Sequence, residues 1–519
     1  EGHRRQLHHP IRSMGTIEET DPGNASPLRV CCHLFYHKNG SPSNLFRRGH
    51  MRRLEPLRGL LSRAHFDISP QIVYHLANKP GGREGASNTY PGPDVSVSEM
   101  VSSQQREMRE SRATPRRTAR QRLRLALLRA LGLLLRPLSL PFPFSPLSSL
   151  LVIRPDHLGD LLFLTPALRQ LRASFPAARI TLLVGPWGRE VAERNPHVDE
   201  VITCPFPGFT RQPKGSLLAP YRLLLQEARR LRKYRFDLAL IMRFDHWWGA
   251  LLAAVAGIPH RLGYAIPEVR PFLTQPVPYL AGRHEVQQNL KLVSRLTHHA
   301  IRNTQHAPRS TSQVAEEELS WEAHPLEFSP TGEEEAWAER WLLTHGAMPD
   351  RPLVAIHPGA GAAVKLWPAE KWAIVADALA GRRGAQIVLT GSANELDLAW
   401  AVAARTRIDP LIAAGETTLG QLAALYRCCR LVIGPDCGPL HLAVAVSTPT
   451  VHLYGPVDAC AFGPWGDPFR HRVLVSRWPC VPCNRLDFAA EELPAHPCVR
   501  DIGVEQVLAE AEALLAGAW

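Results

Sequence analysis

The chain has 519 residues, 45% of them hydrophobic and 21% charged, which is ordinary globular composition and enough length for two or three domains around a sizeable core. Its formal net charge of +12 points to nucleic acid or membrane only until it is located: residues 1–136 hold 23 Lys and Arg against 11 Asp and Glu, and the rest of the chain holds 37 of each. The neutral body therefore has no electrostatic case for binding nucleic acid. Ten cysteines, including the adjacent pairs Cys31/Cys32 and Cys428/Cys429, do not make a dense disulfide framework, and a reducing compartment is expected. The chain opens with Glu1 and shows no charged-then-apolar leader with a small-residue cleavage site, nor an uninterrupted run of eighteen apolar residues. A cytoplasmic body is the expectation.

Residues 1–120 lack sustained periodicity and are rich in Pro, Gly, Ser, Arg and His, a composition that cannot repay the entropy of ordering. They are expected to be disordered or, with Met100 and Met108 just ahead of the first patterned sequence, a non-native leader. Residues 121–147 read as a helix and a Pro-rich linker. In the helix, predicted over 122–138, Arg122, Arg129 and Arg136 recur every seven residues among apolar ones. Such a helix suits an in-plane anchor at an anionic membrane surface, and equally a helix packed on the body with its arginines in water.

From 148 the chain alternates short apolar strands (150–154, 180–185, 200–204, 238–242) with helical segments (217–234, 247–257). The first strand runs into "RPDHLGDLLFLTPALRQL", which places a Pro, two carboxylates, a His and a Gly before an amphipathic helix. That helix starts either at Thr165 or near Gly159 with a kink at Pro166. Polar, unperiodic residues 298–333 read as a connection between a first domain, 148–335, and a second, 336–519. Alternation resumes with strands at 353–359, 386–391, 410–415, 430–436 and 448–455 and helices at 368–382, 394–405, 418–429 and 438–446. Two such halves predict an α/β protein of two Rossmann-like doubly wound domains, with ligands at the carboxyl ends of the strands, in a cleft between the sheets.

Three strand ends of the second half carry polar chemistry. "HPGAGAAVKLW" offers a small-residue loop, Gly359, Ala360 and Gly361, followed by Lys365; small residues let backbone N–H groups approach a phosphate, and the lysine adds a point charge. Glu395 follows the strand end at Gly391-Ser392, where a carboxylate can bond a ribose or complement a helix dipole. Asp436 ends the next strand, ahead of Cys437, Gly438, Pro439, Leu440 and His441. Alone, the Asp is an ordinary N-cap and the His an ordinary core residue. Together on one sheet edge the three point to a nucleotide-diphosphate site.

These stretches, with "LTGSANELDLA", "GPDCGPLHLAVAVSTPTVHLYGP" and the tail "CVPC...CVRDI", resemble glycosyltransferase family 9, the ADP-heptose-dependent lipopolysaccharide heptosyltransferases, over about 148–515. The resemblance implies the two-domain GT-B architecture. It also implies inverting transfer of a sugar, ADP-heptose being the expected donor, to a lipopolysaccharide-core-like or other lipid-linked saccharide, at the inner face of the plasma membrane and without a metal cofactor. It makes Asp160 the general base, with Arg154, Asp156 and Gly159 on the acceptor side. It assigns the donor phosphates to Gly359–Ala363 and Lys365, the ribose to Glu395, and the sugar hydroxyls to Asp436. The backbone of Cys437–Leu440 would hold the leaving diphosphate. His284 also matches a recurring family position, with a structural role. The chain departs from the family in its leader, in Cys437 where Ser or Thr is commoner, and in a tail whose Cys480, Cys483, Cys498 and His496 form a zinc candidate or free thiols. Two alternatives remain: the same chemistry with another nucleotide sugar, and a non-catalytic nucleotide-sugar-binding homologue. Retention of Asp160, Lys365, Glu395 and Asp436 together argues against the second.

Overall fold

A computed structural model describes residues 118–135, 147–210, 216, 218–302 and 319–517. The expected disorder of 1–120 falls almost wholly outside them, as does Arg136. The first described helix, α1 (Ala119–Leu134), starts three residues before its expected position. It packs on the body through Leu125 and Leu128 while Leu123, Leu127, Leu133 and Leu134 stay exposed.

The first half runs β1 (Ser149–Arg154), α2 (Leu158–Leu162), α3 (Thr165–Ser174), β2 (Arg179–Val184), α4 (Arg189–Glu193), β3 (Glu200–Thr203), α5 (Ala219–Arg232), β4 (Leu238–Ile241), α6 (Trp247–Val255), β5 (His260–Tyr264), β6 (Gln275–Val277) and α7 (Glu285–Arg302). All its strand pairs are parallel, in the order β3-β2-β1-β4-β5-β6. Strand β1 lies at the centre, with Val152 opposite Leu182 on one side and Leu240 on the other. Helices cover both faces, so Leu150–Ile153 form a continuous apolar run with no polar alternation and are at most 1% exposed.

Strands β5 and β6 were not expected from the sequence, because "HRLGY" and "QPV" lack an apolar run. Their polarity is satisfied in the fold: the buried Arg261 donates Nε–H to the Phe272 carbonyl at 2.6 Å and Nη1–H to that of Ile258. Pro276 sits in the edge strand, where a missing donor costs little.

The second half comprises α8 (Gly332–Thr344), β7 (Leu353–Ile356), α9 (Ala369–Arg383), β8 (Gln386–Leu389), α10 (Leu396–Ala403), β9 (Leu411–Ile412), α11 (Leu419–Cys428), β10 (Leu431–Pro435), α12 (Gly438–Ala445), β11 (Thr450–Tyr454), α13 (Ala459–Phe462), β12 (His471–Val475) and α14 (Val504–Ala516). Its sheet order, β12-β11-β10-β7-β8-β9, is the first sheet's order read from the other end. The expected helices lie within two residues of α9 to α12, and local chemistry explains their ends. Capping boxes start α8 (Thr331 with Glu334) and α11 (Thr418 with Gln421), and Gly384, at φ 64°, closes α9. The expected connection at 298–333 is shorter than it reads, because α7 continues to Arg302 and Leu326 and Phe328 are buried.

The halves meet where α2 packs on α12. A Cβ on Gly159 would sit 2.9 Å from His441 Cδ2, and one on Gly438 would sit 2.8 Å from Leu158 Cβ. Both positions therefore need glycine for the approach. One hydrophobic core runs through this junction, joining Leu161, Leu162 and Phe163 to Leu440, Leu442 and Ala443.

Candidate active site

The sequence left the start of the motif helix open between Thr165 and Gly159. The structure breaks the segment in two. Helix α2 begins at Leu158 after His157, and α3 begins at Thr165 with Pro166 in its first turn. Thr165 Oγ1 donates to the Leu162 carbonyl at 2.8 Å, closing the first helix. Asp160 is therefore in the first turn of α2 and is not its cap, which leaves its carboxylate free for other work.

That carboxylate belongs to a cluster built on Arg154, the last residue of β1, which is 1% exposed. Arg154 Nε lies 2.7 Å from Asp156 Oδ2, Nη1 2.7 Å from Glu285 Oε1, and Nη2 3.2 Å from Asp160 Oδ1. Nη1 also donates to Asn289 Oδ1 and the Met242 carbonyl, both at 3.1 Å. Asp156 receives a second guanidinium, Arg243, just beyond β4. Arg154 and Arg243 thus meet at the point where the strand order reverses between β1 and β4, the usual ligand position of such a sheet.

The two aspartates respond oppositely. Burial raises the pKa of Asp156, but Arg154 and Arg243 outweigh it and hold that carboxyl below its ordinary value. Asp160 is pushed up to about 7, first by burial and then by the charges of Asp156 and Glu285, with Arg154 only partly offsetting them. Asp156 is 2% exposed and closed off between its arginines, whereas the Asp160 side chain is 28% exposed and opens to the cleft. The geometry therefore makes Asp156 a scaffold for the arginines and gives it no open face toward a ligand.

The cleft, about 950 Å³, is lined from both halves. It brings together Arg154, Gly159 and Asp160 with Ala360, Gly361, Lys365, Glu395, Asp436, Cys437, Gly438, Pro439 and His441. Gly359 and Leu440 do not line it. A side chain at Gly359 would overlap the Glu395 carboxylate, and Leu440 is fully buried in the core. Glu395 accepts from Ser392 N and Oγ, both at 2.8 Å, which fixes its carboxylate beside the glycine loop.

Lys365 Nζ bonds Asp436 Oδ2 at 2.7 Å, and His441 Nε2 lies 3.6 Å from Asp436 Oδ1. Burial acts to raise the Asp436 pKa, yet Lys365 and His441 hold it well below the carboxylate range, so Asp436 is charged. Cys437 is the N-cap of α12, and burial pushes its thiol up, leaving it neutral and unreactive.

Sequence reasoning missed Arg243 and Glu285. Arg243 was within reach of the strand-end rule, since it follows "LALIM" directly. Glu285 comes from the first turn of α7, and nothing local marks it as a partner of Arg154. Next to it, His284 Nδ1 accepts from Val286 N at 3.2 Å while Nε2–H donates across the halves to the Gly463 carbonyl at 3.0 Å. Burial lowers its pKa to about 4, so it is a neutral tie between the domains. In the tail, burial with Cys480 and Cys483 pushes the Cys498 thiol up to about 11. The His496 ring packs on Phe488 at 4.1 Å. Among the described residues no group of three or more His, Cys, Asp or Glu is arranged to hold a metal ion.

Comparison with known proteins gives one consistent result. The model of the family described as "Glycosyltransferase family 9 (heptosyltransferase)" matches residues 224–490. Lipopolysaccharide heptosyltransferase 2 of Escherichia coli (strain K12) is 29% identical over 378 residues, covering 70% of this chain and 98% of that protein. Lipopolysaccharide heptosyltransferase 3 of the same strain is 27% identical over 317 residues, covering 59% and 82%. Among solved structures, the family 9 glycosyl transferase of Veillonella parvula DSM 2008 aligns with a TM-score of 0.56 at 25% identity, covering 73% of this chain and 99% of that one. The E. coli ADP-heptose lps heptosyltransferase II aligns at 0.53 with 24% identity, covering 71% and 98%.

Proposed function

From membership of glycosyltransferase family 9, to which this chain belongs as a GT-B glycosyltransferase, we propose that it transfers heptose from ADP-heptose to a lipopolysaccharide-core-like saccharide, with inversion at the anomeric carbon. The observation that carries this reading is the Asp160 carboxylate, open to the cleft, pushed up to about 7 and facing the donor half across the α2–α12 contact. A base poised near neutrality takes a proton efficiently from a sugar hydroxyl. The proton leaves the acceptor hydroxyl for Asp160 as that oxygen attacks the anomeric carbon and the bond to the diphosphate breaks. The base and the diphosphate site lie on opposite walls of the cleft, so attack comes from the face opposite the leaving group and configuration inverts.

On the donor wall, the loop at Ala360 and Gly361 and the N-terminus of α12 present backbone N–H groups to the diphosphate, and Glu395 takes the ribose. Lys365 meets the phosphates, and Asp436, freed from it, turns to the sugar hydroxyls. This scheme calls for no metal.

The acceptor's lipid places the enzyme at the cytoplasmic membrane face. Helix α1 supports that placement: Leu123, Leu127, Leu133 and Leu134 are exposed beside Arg122, Arg124 and Arg129, and no described helix is long and apolar enough to cross a bilayer. Co-sedimentation with vesicles containing phosphatidylglycerol, lost when Leu123 and Leu127 are both changed to Ser, tests the membrane contact. The transfer reading is tested by titration with ADP-heptose, ADP, UDP and GDP without metal, followed by a transfer assay to deacylated lipopolysaccharide core. Selective stabilisation by adenine diphosphates with product formation is expected. A preference for UDP or GDP would discard heptose, and silence with every nucleotide would leave a non-catalytic protein.

A further inference from the structure

One buried histidine of the second half lines the main cleft and has no part in the scheme above. His357 follows β7 directly and opens the loop that leads to Ala360 and Gly361. It is 2% exposed. Its Nδ1 lies 3.1 Å from Thr390 Oγ1, and that oxygen lies 3.1 Å from the Tyr426 hydroxyl. Thr390 and Tyr426 are fully buried. Among the described residues Nε2, the other ring nitrogen of His357, has no hydrogen-bond partner, yet it is not one of the nitrogens sealed inside the protein, so it reaches the cleft surface.

Three observations fix what this nitrogen can do. First, the chain of hydroxyls sets the tautomer of the ring. The Tyr426 O–H has Thr390 Oγ1 as its one partner among the described residues. If His357 donated through Nδ1, the hydroxyl proton of either Tyr426 or Thr390 would be buried without an acceptor, which is costly. With Tyr426 donating to Thr390 and Thr390 donating to Nδ1, every buried O–H is matched, and the imidazole carries its proton on Nε2. Second, the ring is neutral. Burial lowers its pKa from the usual imidazole value, and the charge of Glu395 only partly opposes this. Third, an acceptor stands beside this donor. Glu395 Oε2 takes both bonds from Ser392, whereas Oε1, packed over Gly359, accepts none among the described residues. A neutral N–H and a carboxylate oxygen on one wall suit a hydroxyl, which accepts from the first and donates to the second. A phosphate oxygen would answer His357 alone and be repelled by Glu395.

We propose that His357 is a specificity-determining residue of the nucleotide site: its Nε2–H and Glu395 Oε1 together hold one ribose hydroxyl of a nucleoside diphosphate, and the cleft thereby selects nucleotides that carry this hydroxyl over their deoxy analogues. The proposal rests on the donor reading above and adds to it a second contact to the ribose, with the direction of its hydrogen bond. Thr390 and Tyr426 are positioning residues. They touch no ligand and act by holding the ring with its proton on the cleft side. Selectivity follows because a nucleotide that lacks the hydroxyl leaves both the N–H and the carboxylate oxygen without a partner, a larger loss than one missing bond. No proton is transferred and no covalent bond changes there.

The test titrates the full chain calorimetrically with ADP, 2′-deoxy-ADP, 3′-deoxy-ADP and inorganic pyrophosphate, comparing wild type with His357→Phe, His357→Gln and Thr390→Val. Wild type is expected to bind one of the deoxy nucleotides about tenfold or more weakly than ADP. In His357→Phe that preference is expected to fall to about threefold or less, and in Thr390→Val to a value in between, with pyrophosphate affinity within about twofold of wild type in both. His357→Gln places an amide N–H near the same point and is expected to restore the preference, which a merely structural role would not do. Equal binding of all three nucleotides by wild type, or a preference unchanged in both His357→Phe and Thr390→Val, overturns the proposal. So does a loss of pyrophosphate affinity in step with that of ADP, because the residue then supports the whole loop and reads no hydroxyl. The donor reading fails separately: wild type that binds UDP and not ADP discards adenine, and the same comparison is then decided with the two deoxy forms of UDP, whereas silence with every nucleotide overturns both.

Discussion

The two halves share one strand order and set different kinds of residue at its switch point. At the switch point of the first sheet, between β1 and β4, the strand ends deliver side chains: Arg154, Asp156 and Arg243, completed by Asp160 and Glu285. At the equivalent point of the second, between β7 and β10, they deliver a glycine loop, a helix N-terminus and one ion pair, Lys365 with Asp436. Moving a proton needs a side chain whose pKa is tuned by its neighbours. Holding a diphosphate needs backbone donors and closely approaching chain. The same scaffold supplies either one according to whether the residues past the strand end are charged or small.

The sharpest way to separate the halves is Asp160→Asn, which removes the proposed base and leaves the proposed donor wall intact. Transfer should fall by roughly 10³- to 10⁴-fold while ADP-heptose affinity in a calorimetric titration is unchanged; a parallel loss of donor affinity would show that the walls are not independent. Next in size is Phe163→Ala, at the seam. Phe163 is 2% exposed, with its ring 4.7 Å from His441 and 5.0 Å from His284. Its truncation is expected to lower stability by about 3–5 kcal/mol in urea unfolding, and a small effect would mean that the halves hold together without it.

Lys365→Met acts on the donor wall alone. It strips the buried Asp436 of its partner, and donor binding should weaken by about 2–5 kcal/mol with the pH profile unmoved. The smallest effect is in pH. Because Asp160 must be ionised to accept a proton, kcat/KM for acceptor should rise about tenfold per pH unit toward about 7 and then level. Stability runs the other way. The folded site holds the Asp160 proton more tightly than the unfolded chain, so ionising it between about 4 and 7 lowers stability as pH rises. Asp160→Asn should flatten both curves, and a profile that keeps its midpoint in that variant assigns the titration to another group.

Residue order alone determined much of this protein. The apolar runs at 150–154 and 353–356, the turn residues that follow them and the helix starts expected at 368, 418 and 438 are local signals, and each lies within one residue of where the structure has it. The proposed donor wall was noticed for the same reason: Gly361, Lys365, Glu395 and Asp436 follow the ends of their strands in sequence, and the structure gathers them at one cleft. Strands β5, β6 and β12 were not legible, because "HRLGY" and "HRVLV" open on a polar pair and "QPV" is too short to show an apolar run. On the acceptor wall, the family resemblance set Asp160 ahead of Asp156, but nothing local in the sequence says how the two carboxylates differ. Only the tertiary structure brings Arg243 from 87 residues away onto Asp156 and Glu285 from 131 residues away onto Arg154. A carboxylate's proton affinity is set by the charges and the water around it, and in this chain those neighbours arrive from other strands and helices.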